Sequence, residues 1–267
     1  MTCAVVKTTA GKAAMLDVEA GEIMHPGVGP LVEAQQLYVQ QSRLQERLAG
    51  QHEPLVLFDV GLGAGSNAVA AWMAAAEVSA PAARLHIVSF ERDLSAINLA
   101  LQHAADFGIT EQVAVAVRGL LHEGAAEAPH ASWQLRQGDL LACLADETAK
   151  ADVVYWDPFS PKTNPDLWTV HAFALLRAAC GPRAQLFTYS ASTTVRVAML
   201  LGGWCVGVGD AIGDKRATTA AAMRVEDLRQ PLTTPWLKRL TLPEARMPVD
   251  AGPDALARVR ACPQFNI

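Results

Sequence analysis

Residues 55–67 read LVLFDVGLGAGSN, and this stretch predicts the centre of the fold. Its first four residues are an apolar run that ends in the acid Asp59, a pattern typical of a strand buried inside a parallel sheet. The alanine-rich segment 67–76 that follows predicts a helix. Between them stand three glycines, Gly61, Gly63 and Gly65. Because glycines in a turn let the backbone approach a ligand closely, the stretch predicts a strand, a ligand-binding turn and a helix in succession.

Apolar runs and helical patterns alternate through the rest of the middle of the chain. Further strands are predicted at 85–91, 133–136, 152–157 and 184–189. Helices are predicted at 94–107, 168–179 and 193–201, with glycines at their ends. Two last strands, at 204–208 and 217–223, are expected to pair as an antiparallel hairpin. This alternation predicts an α/β fold, with a Rossmann-like, doubly wound and mostly parallel sheet of seven strands.

Composition limits the classes of protein to which the chain can belong. Of its 267 residues, 51% are hydrophobic and 18% are charged, so it can bury a sizeable core. The net charge of -5 does not indicate a nucleic-acid binder by itself, although a local basic patch is compatible with it. The five cysteines are isolated, without CxxC or HExxH spacing. This pattern predicts reduced thiols, a cytoplasmic location and no metal site.

Membrane association is not expected from the sequence. The longest apolar run, 68–76, is far shorter than the about 20 residues that a membrane helix needs. The N-terminal residues also lack the apolar stretch of a secretory signal.

The spacing of the three glycines distinguishes between two classes of cofactor. A dinucleotide-binding turn reads GxGxxG, with its third glycine at the sixth position. Here the third glycine stands at the fifth position, and an acid precedes the first glycine by two residues. This D-x-G-x-G-x-G pattern resembles motif I of Rossmann-like S-adenosylmethionine-dependent methyltransferases. The resemblance implies S-adenosyl-L-methionine as cofactor, with a loop made of Asp59, Gly61, Gly63, Gly65 and Asn67.

Acids at the ends of the next two predicted strands support this cofactor. Glu91 ends the second strand, at the edge of the sheet where ligands bind, and its carboxylate can accept hydrogen bonds from both ribose hydroxyls. Asp139 follows the third strand, and in the methyltransferase family an acid there typically accepts from the adenine amino group. Both residues are therefore expected to bind the cofactor.

The fourth strand runs into a proline-rich loop, DPFSPKTNPDLW, over residues 157–168. Its first three residues resemble the D-P-P-Y type loop of methyltransferases that modify amino nitrogen. An alkylamine has a pKa of about 10 and must lose a proton before it can attack a methyl group. A carboxylate beside the amine can accept an N–H hydrogen bond and orient the lone pair. We therefore predict a catalytic role for Asp157, with a helix-capping or loop-stabilising role as the alternative.

Several motifs in the same order resemble the MnmC-type tRNA 5-aminomethyl(-2-thio)uridine methyltransferases. VVYWDPFSPKTNPDLWT resembles the LDGFAPxxNPxMW segment of that family, FDVGLGAGSN its ESGFGTGLN, HIVSFERD its HFISFEK and RQGDL its FGD turn. The segment 213–216 resembles its GxGxKR element. The chain departs from the family at Pro158, where the family has glycine, and at Ser160, where it has alanine. Its length resembles the stand-alone methyltransferase form, so no FAD is expected.

This resemblance implies a substrate and further site residues. The family makes 5-methylaminomethyl(-2-thio)uridine at the wobble position of tRNA, so tRNA is the expected substrate, and no stable protein partner is implied. The substrate-side residues are then Phe159, Lys162, Asn164, Lys215 and Arg216, of which the basic ones would meet phosphates. His25 and Glu33 are expected to help close the cofactor pocket. Three segments are predicted: an N-terminal segment 1–50 that closes this pocket, a methyltransferase domain 51–223 and an irregular C-terminal extension 224–267.

Two other functions stay compatible with the sequence. One is a small-molecule amine N-methyltransferase or an aminopropyltransferase on the same scaffold, with a closed pocket that is uncharged, or acidic for a polyamine. The other is a cofactor-binding protein without catalysis, which would keep the glycine loop but lose the acid at position 157. The presence of Asp157 favours an enzyme over this last alternative.

Overall fold

The computed structural model describes residues 2–8, 10–24, 29–79, 82–211, 217–243 and 245–266. The strands of these residues are β1 (Cys3–Lys7), β2 (Ala13–Asp17), β3 (Glu22–Met24), β4 (Leu55–Val60), β5 (Leu85–Glu91), β6 (Ala125–Glu127), β7 (Ala131–Gln137), β8 (Ala151–Trp156), β9 (Cys180–Thr188), β10 (Cys205–Gly209) and β11 (Thr218–Ala222).

The helices are short and stand mainly between the strands. They are α1 (Pro30–Ala34), α2 (Leu44–Gly50), α3 (Ser66–Ala76), α4 (Ser95–Gln102), α5 (Glu111–Glu123), α6 (Leu140–Asp146), α7 (Val170–Ala178), α8 (Thr193–Leu201) and α9 (Ala255–Arg260). A π-helix, Gln35–Gln40, continues α1, and 3-10 turns occupy Pro165–Trp168 and Thr234–Thr241. Among the helices described, none is long and apolar enough to cross a membrane.

The described strands form two sheets, and the larger sheet confirms the predicted fold class. Its eight strands have the order β10-β11-β9-β8-β4-β5-β7-β6. The five central strands, from β9 to β7, run parallel to one another. The final hairpin of β10 and β11 is antiparallel, as predicted, with Val206 opposite Ala221. The carboxyl ends of the parallel strands consequently meet at one edge, which we call the site edge.

The structure differs from the sequence-based expectation at three places. The short strand β6 pairs antiparallel with β7 and gives the sheet an eighth strand instead of the predicted seven. The helix predicted over 94–107 is only Ser95–Gln102, and the chain turns before Gly108, which has a φ of +70°. Helix α5 was not predicted; the Thr110 side chain caps it by accepting a hydrogen bond from the Val113 amide at 3.4 Å.

A second, three-stranded sheet was also missed by sequence reasoning. It is an antiparallel meander in which β1 pairs with β2 and β2 pairs with β3. Its strands are only three to five residues long, and apolar runs as short as those of β1 and β2 do not by themselves distinguish a strand from other structure. This small sheet positions residues 17–24 beside the site edge.

The core is divided into two layers by the large sheet. One layer packs the first helices and α3 to α5 on one face, around Trp72 and Trp133. The other packs α6 to α8 and the C-terminal residues on the opposite face, around Trp156 and Phe173. Because both faces are covered, β4, β5 and β8 consist mostly of buried apolar residues, as expected for a parallel sheet.

The C-terminal residues cover the exposed edge of the sheet. The side chain of Gln264 is buried; its Oε1 accepts from the Val206 amide at 2.7 Å, and its Nε2 donates to the Val206 carbonyl at 3.0 Å. The Val208 amide donates to the Gln230 carbonyl at 2.8 Å. These bonds satisfy the free backbone groups of β10, which would otherwise remain an open edge strand.

One titratable side chain of β4 is fully buried in the core below the glycine turn. Asp59 has no exposed surface, and its Oδ2 accepts from the Ser89 hydroxyl at 2.7 Å. The Trp133 indole N–H in turn donates to this hydroxyl at 2.9 Å. The second carboxylate oxygen, Oδ1, has no hydrogen-bond partner among the described residues. Burial raises the pKa of Asp59 to about 7, against the effect of the Ser89 hydrogen bond, which lowers it.

We predict that this carboxyl makes stability depend on pH. The pKa of Asp59 is higher in the folded chain than in the unfolded one, so the folded state binds its proton more tightly. The free energy of unfolding should therefore fall between about pH 4 and pH 7, by an amount on the order of a few kcal/mol from this group. Asp59→Asn removes this titration, so its stability relative to the unsubstituted protein should improve steadily as the pH rises. Urea unfolding at pH 5, 6, 7 and 8 measures the difference, and the exposed Asp146→Asn is a matched control that should show none. A pH-independent difference for Asp59→Asn would show that the carboxyl is ionised without penalty.

Candidate active site

A cavity of about 1060 Å³ opens at the site edge. Its walls come from the glycine turn after β4, the ends of β5, β7 and β8, and the meander residues 17–24. Of the described residues that line it, nine are acidic and one, Arg92, is basic. The acids are Asp17, Glu19, Glu22, Glu33, Glu91, Asp93, Asp139, Asp157 and Asp166. A cavity with this lining favours a ligand or reacting group that carries positive charge.

The glycine turn has a backbone that only glycine adopts without strain. Gly61, Gly63 and Gly65 have φ angles of +84°, +52° and +84°. A Cβ atom on Gly61 would lie 2.8 Å from the Asp157 carbonyl oxygen and 2.9 Å from the Pro158 Cα. The glycine turn and the loop after β8 are thus in direct backbone contact, which places the two predicted halves of the site side by side.

Glu91 ends β5 and braces the glycine turn. Its Oε2 accepts from the Gly63 amide at 3.0 Å. Its Oε1 accepts from the amides of Arg92 and Asp93, at 2.8 and 3.1 Å. Each carboxylate oxygen can accept about two hydrogen bonds, so Oε1 is fully used and Oε2 can accept one further donor, from a ligand in the cavity.

Asp157 lies where β8 ends and is fixed by β4 and α3. Its amide donates to the Val60 carbonyl at 2.9 Å. Its Oδ2 accepts from the Asn67 side-chain amide at 2.7 Å. Two tyrosines lie in its electrostatic field: burial, followed by the charge of Asp157, raises the pKa of both Tyr38 and Tyr189 well above the ordinary value. Both tyrosines are consequently neutral at physiological pH, so neither adds a charge beside Asp157.

The proline-rich loop is anchored by aromatic side chains. The Trp168 indole N–H donates to the Phe159 carbonyl at 2.8 Å, and the Tyr189 hydroxyl donates to the Pro158 carbonyl at 3.2 Å. The Trp168 and Tyr189 rings pack edge to face with centroids 5.7 Å apart. These contacts give Trp168, the tryptophan of the NPxxW motif, a structural role: it holds the loop in position over the cavity.

Glu22 ties the meander to the same loop. Its carboxylate accepts from the Ser160 amide at 3.1 Å, the Ser160 hydroxyl at 3.1 Å and the Thr163 hydroxyl at 2.6 Å. The adjacent Met24 lies against the glycine turn, since a Cβ on Gly63 would be 3.1 Å from its Sδ. The meander thus contacts both loops and closes one side of the cavity.

The structure brings most of the predicted site residues together. Those that line the cavity are Gly61, Gly63, Glu91, Asp139, Asp157, Phe159, Asn164 and Glu33. Asp139 also caps α6, since its Oδ1 accepts from the amides of Leu141 and Ala142 at 3.1 and 3.2 Å. This cap leaves its other oxygen for a ligand.

Other predicted residues do not line the cavity. Asp59 and Asn67 are buried beneath the glycine turn, and Gly65 packs against Ile97; their roles in cofactor binding stay predictions. Lys162 is exposed on the proline-rich loop but outside the cavity wall. His25, Lys215 and Arg216 lie outside the described residues. No group of His, Cys, Asp and Glu side chains in the described part of the chain is arranged to hold a metal ion.

Sequence reasoning missed Glu22, Tyr38 and Tyr189 as residues of the site. Tyr189 is the last residue of the strand predicted over 184–189, so the rule that the ends of parallel strands meet at one edge could have found it. Glu22 and Tyr38 come from the N-terminal segment, and nothing in their spacing points toward the loop after β8. Only the tertiary packing brings them there.

Comparison with known proteins adds a family assignment to this geometry. The sequence model of the S-adenosyl-L-methionine-dependent methyltransferase family, Methyltransf_30, matches residues 91–224, about half of the chain. The tRNA 5-methylaminomethyl-2-thiouridine biosynthesis bifunctional protein MnmC of Ectopseudomonas mendocina is 29% identical over 236 residues, which are 83% of this chain and 35% of that protein. The protein of the same name from Pseudomonas putida is 30% identical over 223 residues, 80% of this chain and 34% of that protein. The chain thus spans about a third of the length of these curated relatives.

Solved structures show the same fold. The crystal structure of MNMC2 from Aquifex aeolicus has 27% sequence identity and a TM-score of 0.73, and the match covers 97% of this chain and 85% of that one. Spermidine synthase from Thermotoga maritima has 11% identity and a TM-score of 0.52 over 85% of this chain and 70% of that one, a likeness in fold alone.

We predict that Gly61 cannot be replaced without moving the proline-rich loop. Gly61→Ala adds a Cβ at a positive φ and places it against backbone atoms of Asp157 and Pro158. The control is Gly124→Ala, which has a φ of +74° but nothing within 4 Å of the added Cβ. The control should cost only the left-handed conformation, about 1–2 kcal/mol, whereas Gly61→Ala should add an overpacking cost of about 1–3 kcal/mol. Urea unfolding of both variants measures this, and equal losses would contradict the close contact between the two loops.

Proposed function

Because the chain belongs to the S-adenosyl-L-methionine-dependent methyltransferase family, we propose that it methylates the 5-aminomethyl group of a wobble uridine in tRNA to give 5-methylaminomethyl(-2-thio)uridine. The observation that carries this proposal is the placement of Asp157 against the glycine turn, inside a cavity lined by carboxylates. The similarity to proteins named for 5-methylaminomethyl-2-thiouridine biosynthesis supports the acceptor, and the activity on tRNA is expected in the cytoplasm.

The residues of the cavity suit S-adenosyl-L-methionine. The positive φ angles of the glycine turn keep its backbone free of side chains on the cavity side, where a ligand can lie closely against it. Glu91, anchored by three amides, would accept a hydrogen bond from the ribose at Oε2, and Asp139 would accept one from the adenine. When bound, this cofactor supplies the methyl group on a sulfonium ion, a cation that suits the acidic lining. Neither FAD nor a metal ion has a role in this proposal.

Asp157 would act on the acceptor amine. An aminomethyl group is a cation in neutral solution, so it is attracted to the carboxylates of the cavity and must lose a proton to become a nucleophile. Asp157 would accept an N–H hydrogen bond, orient the nitrogen lone pair and receive the proton. Phe159, also on the cavity wall, would contact the uracil ring, and Asn164 would complete this side of the pocket.

Each of the three predicted segments has a role in this proposal. We infer that segment 1–50 closes the cavity through Glu22, Met24 and Glu33, and that segment 51–223 carries the cofactor and acceptor residues. Segment 224–267 reaches the site edge: the Asp250 carboxylate caps α7 at the Val170 and His171 amides, at 3.0 and 2.9 Å.

Phosphates of the tRNA would be met outside the cavity. Its acidic lining repels phosphate, so a polynucleotide must be held by exposed basic residues around the opening. Lys162 on the proline-rich loop, and Lys238 and Arg239 on the C-terminal extension, are exposed and described. Lys215 and Arg216 are predicted to join them. The net charge of -5 makes such a local patch necessary for binding tRNA.

A small amine is the second candidate acceptor. The acidic lining of the cavity favours it specifically, because a free amine or polyamine would be attracted without any basic patch. N-methylation or aminopropyl transfer would use the same glycine turn and Asp157. The two candidates differ in what they require outside the cavity.

Separate substitutions test the cofactor and acceptor roles. Glu91→Ala should lower affinity for S-adenosylhomocysteine about 10- to 100-fold, the equivalent of roughly 1.5–3 kcal/mol for hydrogen bonds to a charged group. Asp157→Asn keeps size and polarity, so it should leave this affinity nearly unchanged while lowering methyl transfer about 100-fold or more. Calorimetry and a labelled-methyl assay read the two effects, with the exposed Glu53→Ala as control for both. Full activity in a folded Asp157→Asn protein would assign that residue a structural role only.

The salt dependence of the reaction distinguishes tRNA from a small amine. If phosphates are contacted, tRNA affinity should fall steeply with salt, and Lys238→Ala with Arg239→Ala should make the log–log slope shallower by roughly one to two units. Lys150→Ala with Arg183→Ala, at the opposite edge of the sheet, should leave the slope unchanged. The assay is run on undermodified tRNA and on small amines across a salt series. Methylation of a free amine, nearly independent of salt and without any product on tRNA, would overturn the tRNA proposal in favour of the second candidate.

A further inference from the structure

We propose that Asn67 is a positioning residue for Asp157, and that it couples the cofactor turn to the acceptor acid. This inference rests on the proposed function, because it assigns a role to a residue that acts through Asp157. The observation behind it is the 2.7 Å hydrogen bond from Asn67 Nδ2 to Asp157 Oδ2, between residues 90 positions apart in sequence.

Asn67 lies beneath the glycine turn, behind the wall of the cavity. It is the second residue of α3, immediately after the glycine turn, and its side chain is 4% exposed. It does not line the cavity, whereas Asp157 does. The Asn67 amide therefore acts from behind the carboxylate, on the side away from the substrate.

The hydrogen-bond inventory of Asn67 is unusual for a buried amide. Its Nδ2 donates to Asp157, but its Oδ1 has no partner among the described residues. A buried amide oxygen without a partner costs stability, so the side chain is not optimised for the fold alone. What the arrangement provides is a donor aimed at one oxygen of Asp157, which favours the ionised carboxylate and fixes its orientation.

This hydrogen bond also couples the position of the glycine turn to the position of the Asp157 carboxylate. Asn67 is on the helix that begins at the cofactor turn, and Gly61 in that turn touches the Asp157 backbone. A displacement of the turn would therefore move both the support below the carboxylate and the backbone that carries it. The orientation of Asp157 therefore depends on the packing of the glycine turn.

The groups around Asp157 determine how its ionisation responds to substitution. Among the described residues, Tyr38 faces it from the π-helix, Tyr189 from the end of β9 and Asp59 from β4. Glu33 and Glu22 line the same cavity. Asn67 is a neutral donor in this acidic surrounding, so its replacement by a carboxylate changes the balance directly.

Asn67→Asp tests the role with an isosteric change. It places two carboxylates in contact, and such a pair shares a proton and titrates in two coupled steps, one of them raised. We expect kcat at pH 7 to fall by about tenfold or more, which is part of the contribution of a positioned base. The difference in kcat from the unsubstituted protein should become smaller as the pH rises past the higher pKa of the carboxylate pair. Affinity for S-adenosylhomocysteine should change less than about twofold, because the residue is outside the cavity. Asn98→Asp, the same substitution at an exposed position of α4, is the control and should behave as the unsubstituted protein.

An exchange of the two side chains tests the contact without relying on activity. Asn67→Asp should lower the urea midpoint increasingly above pH 5, and Asp157→Asn in the same chain should restore it, because the amide then donates in the reverse direction. The protein with both substitutions should remain inactive, since its carboxylate is then at position 67, behind the cavity wall. If the effects of the two substitutions on the urea midpoint are additive, the two side chains do not interact and the proposed contact is wrong. A decrease in kcat that is identical at every pH, or a loss of cofactor affinity, would overturn the positioning role of Asn67. If the unsubstituted protein transfers no methyl group, the proposed function is rejected. The contact between Asn67 and Asp157 is then still tested by the urea midpoints.

Discussion

The site depends on the direct contact between the glycine turn after β4 and the loop after β8. Gly61 has no side chain to separate them, so its backbone meets Asp157 and Pro158, and Asn67 reaches the Asp157 carboxylate from the same side. β4 and β8 are neighbours in the sheet, which aligns the starts of the two loops. This single contact places the glycine turn and Asp157 within one cavity.

The other elements stabilise this contact from several directions. Glu91 braces the turn from β5, while Trp168 and Tyr189 hold the proline-rich loop from above β9. Glu22 joins the loop to the N-terminal meander through three hydrogen bonds. Glu22, Glu91 and Tyr189 come from different segments of the chain, so contacts with the rest of the fold help hold the two loops in place.

Charge separates the roles of the cavity and the surrounding surface. The cavity lining is acidic and suits a sulfonium ion and an amine, which are both cations. A polynucleotide would have to be held by basic residues outside it, such as Lys162 and Arg239. An acidic protein can therefore act on tRNA if the reacting group alone enters the cavity and the phosphates stay at its rim.

The sequence alone predicted the mostly parallel α/β sheet and placed the glycine turn and several acids at strand ends, because apolar runs, glycine spacing and acids after strands are local patterns. It did not determine the meander, whose short strands have no distinct period, or helix α5 and the edge strand β6. Only the tertiary structure decided that Asn67 faces Asp157 and not the cavity, that Asp59 is buried with Ser89, and that Glu22 holds the proline-rich loop. These contacts join residues 30 to 141 positions apart, and at such separations the packing of the two core layers decides which side chains meet.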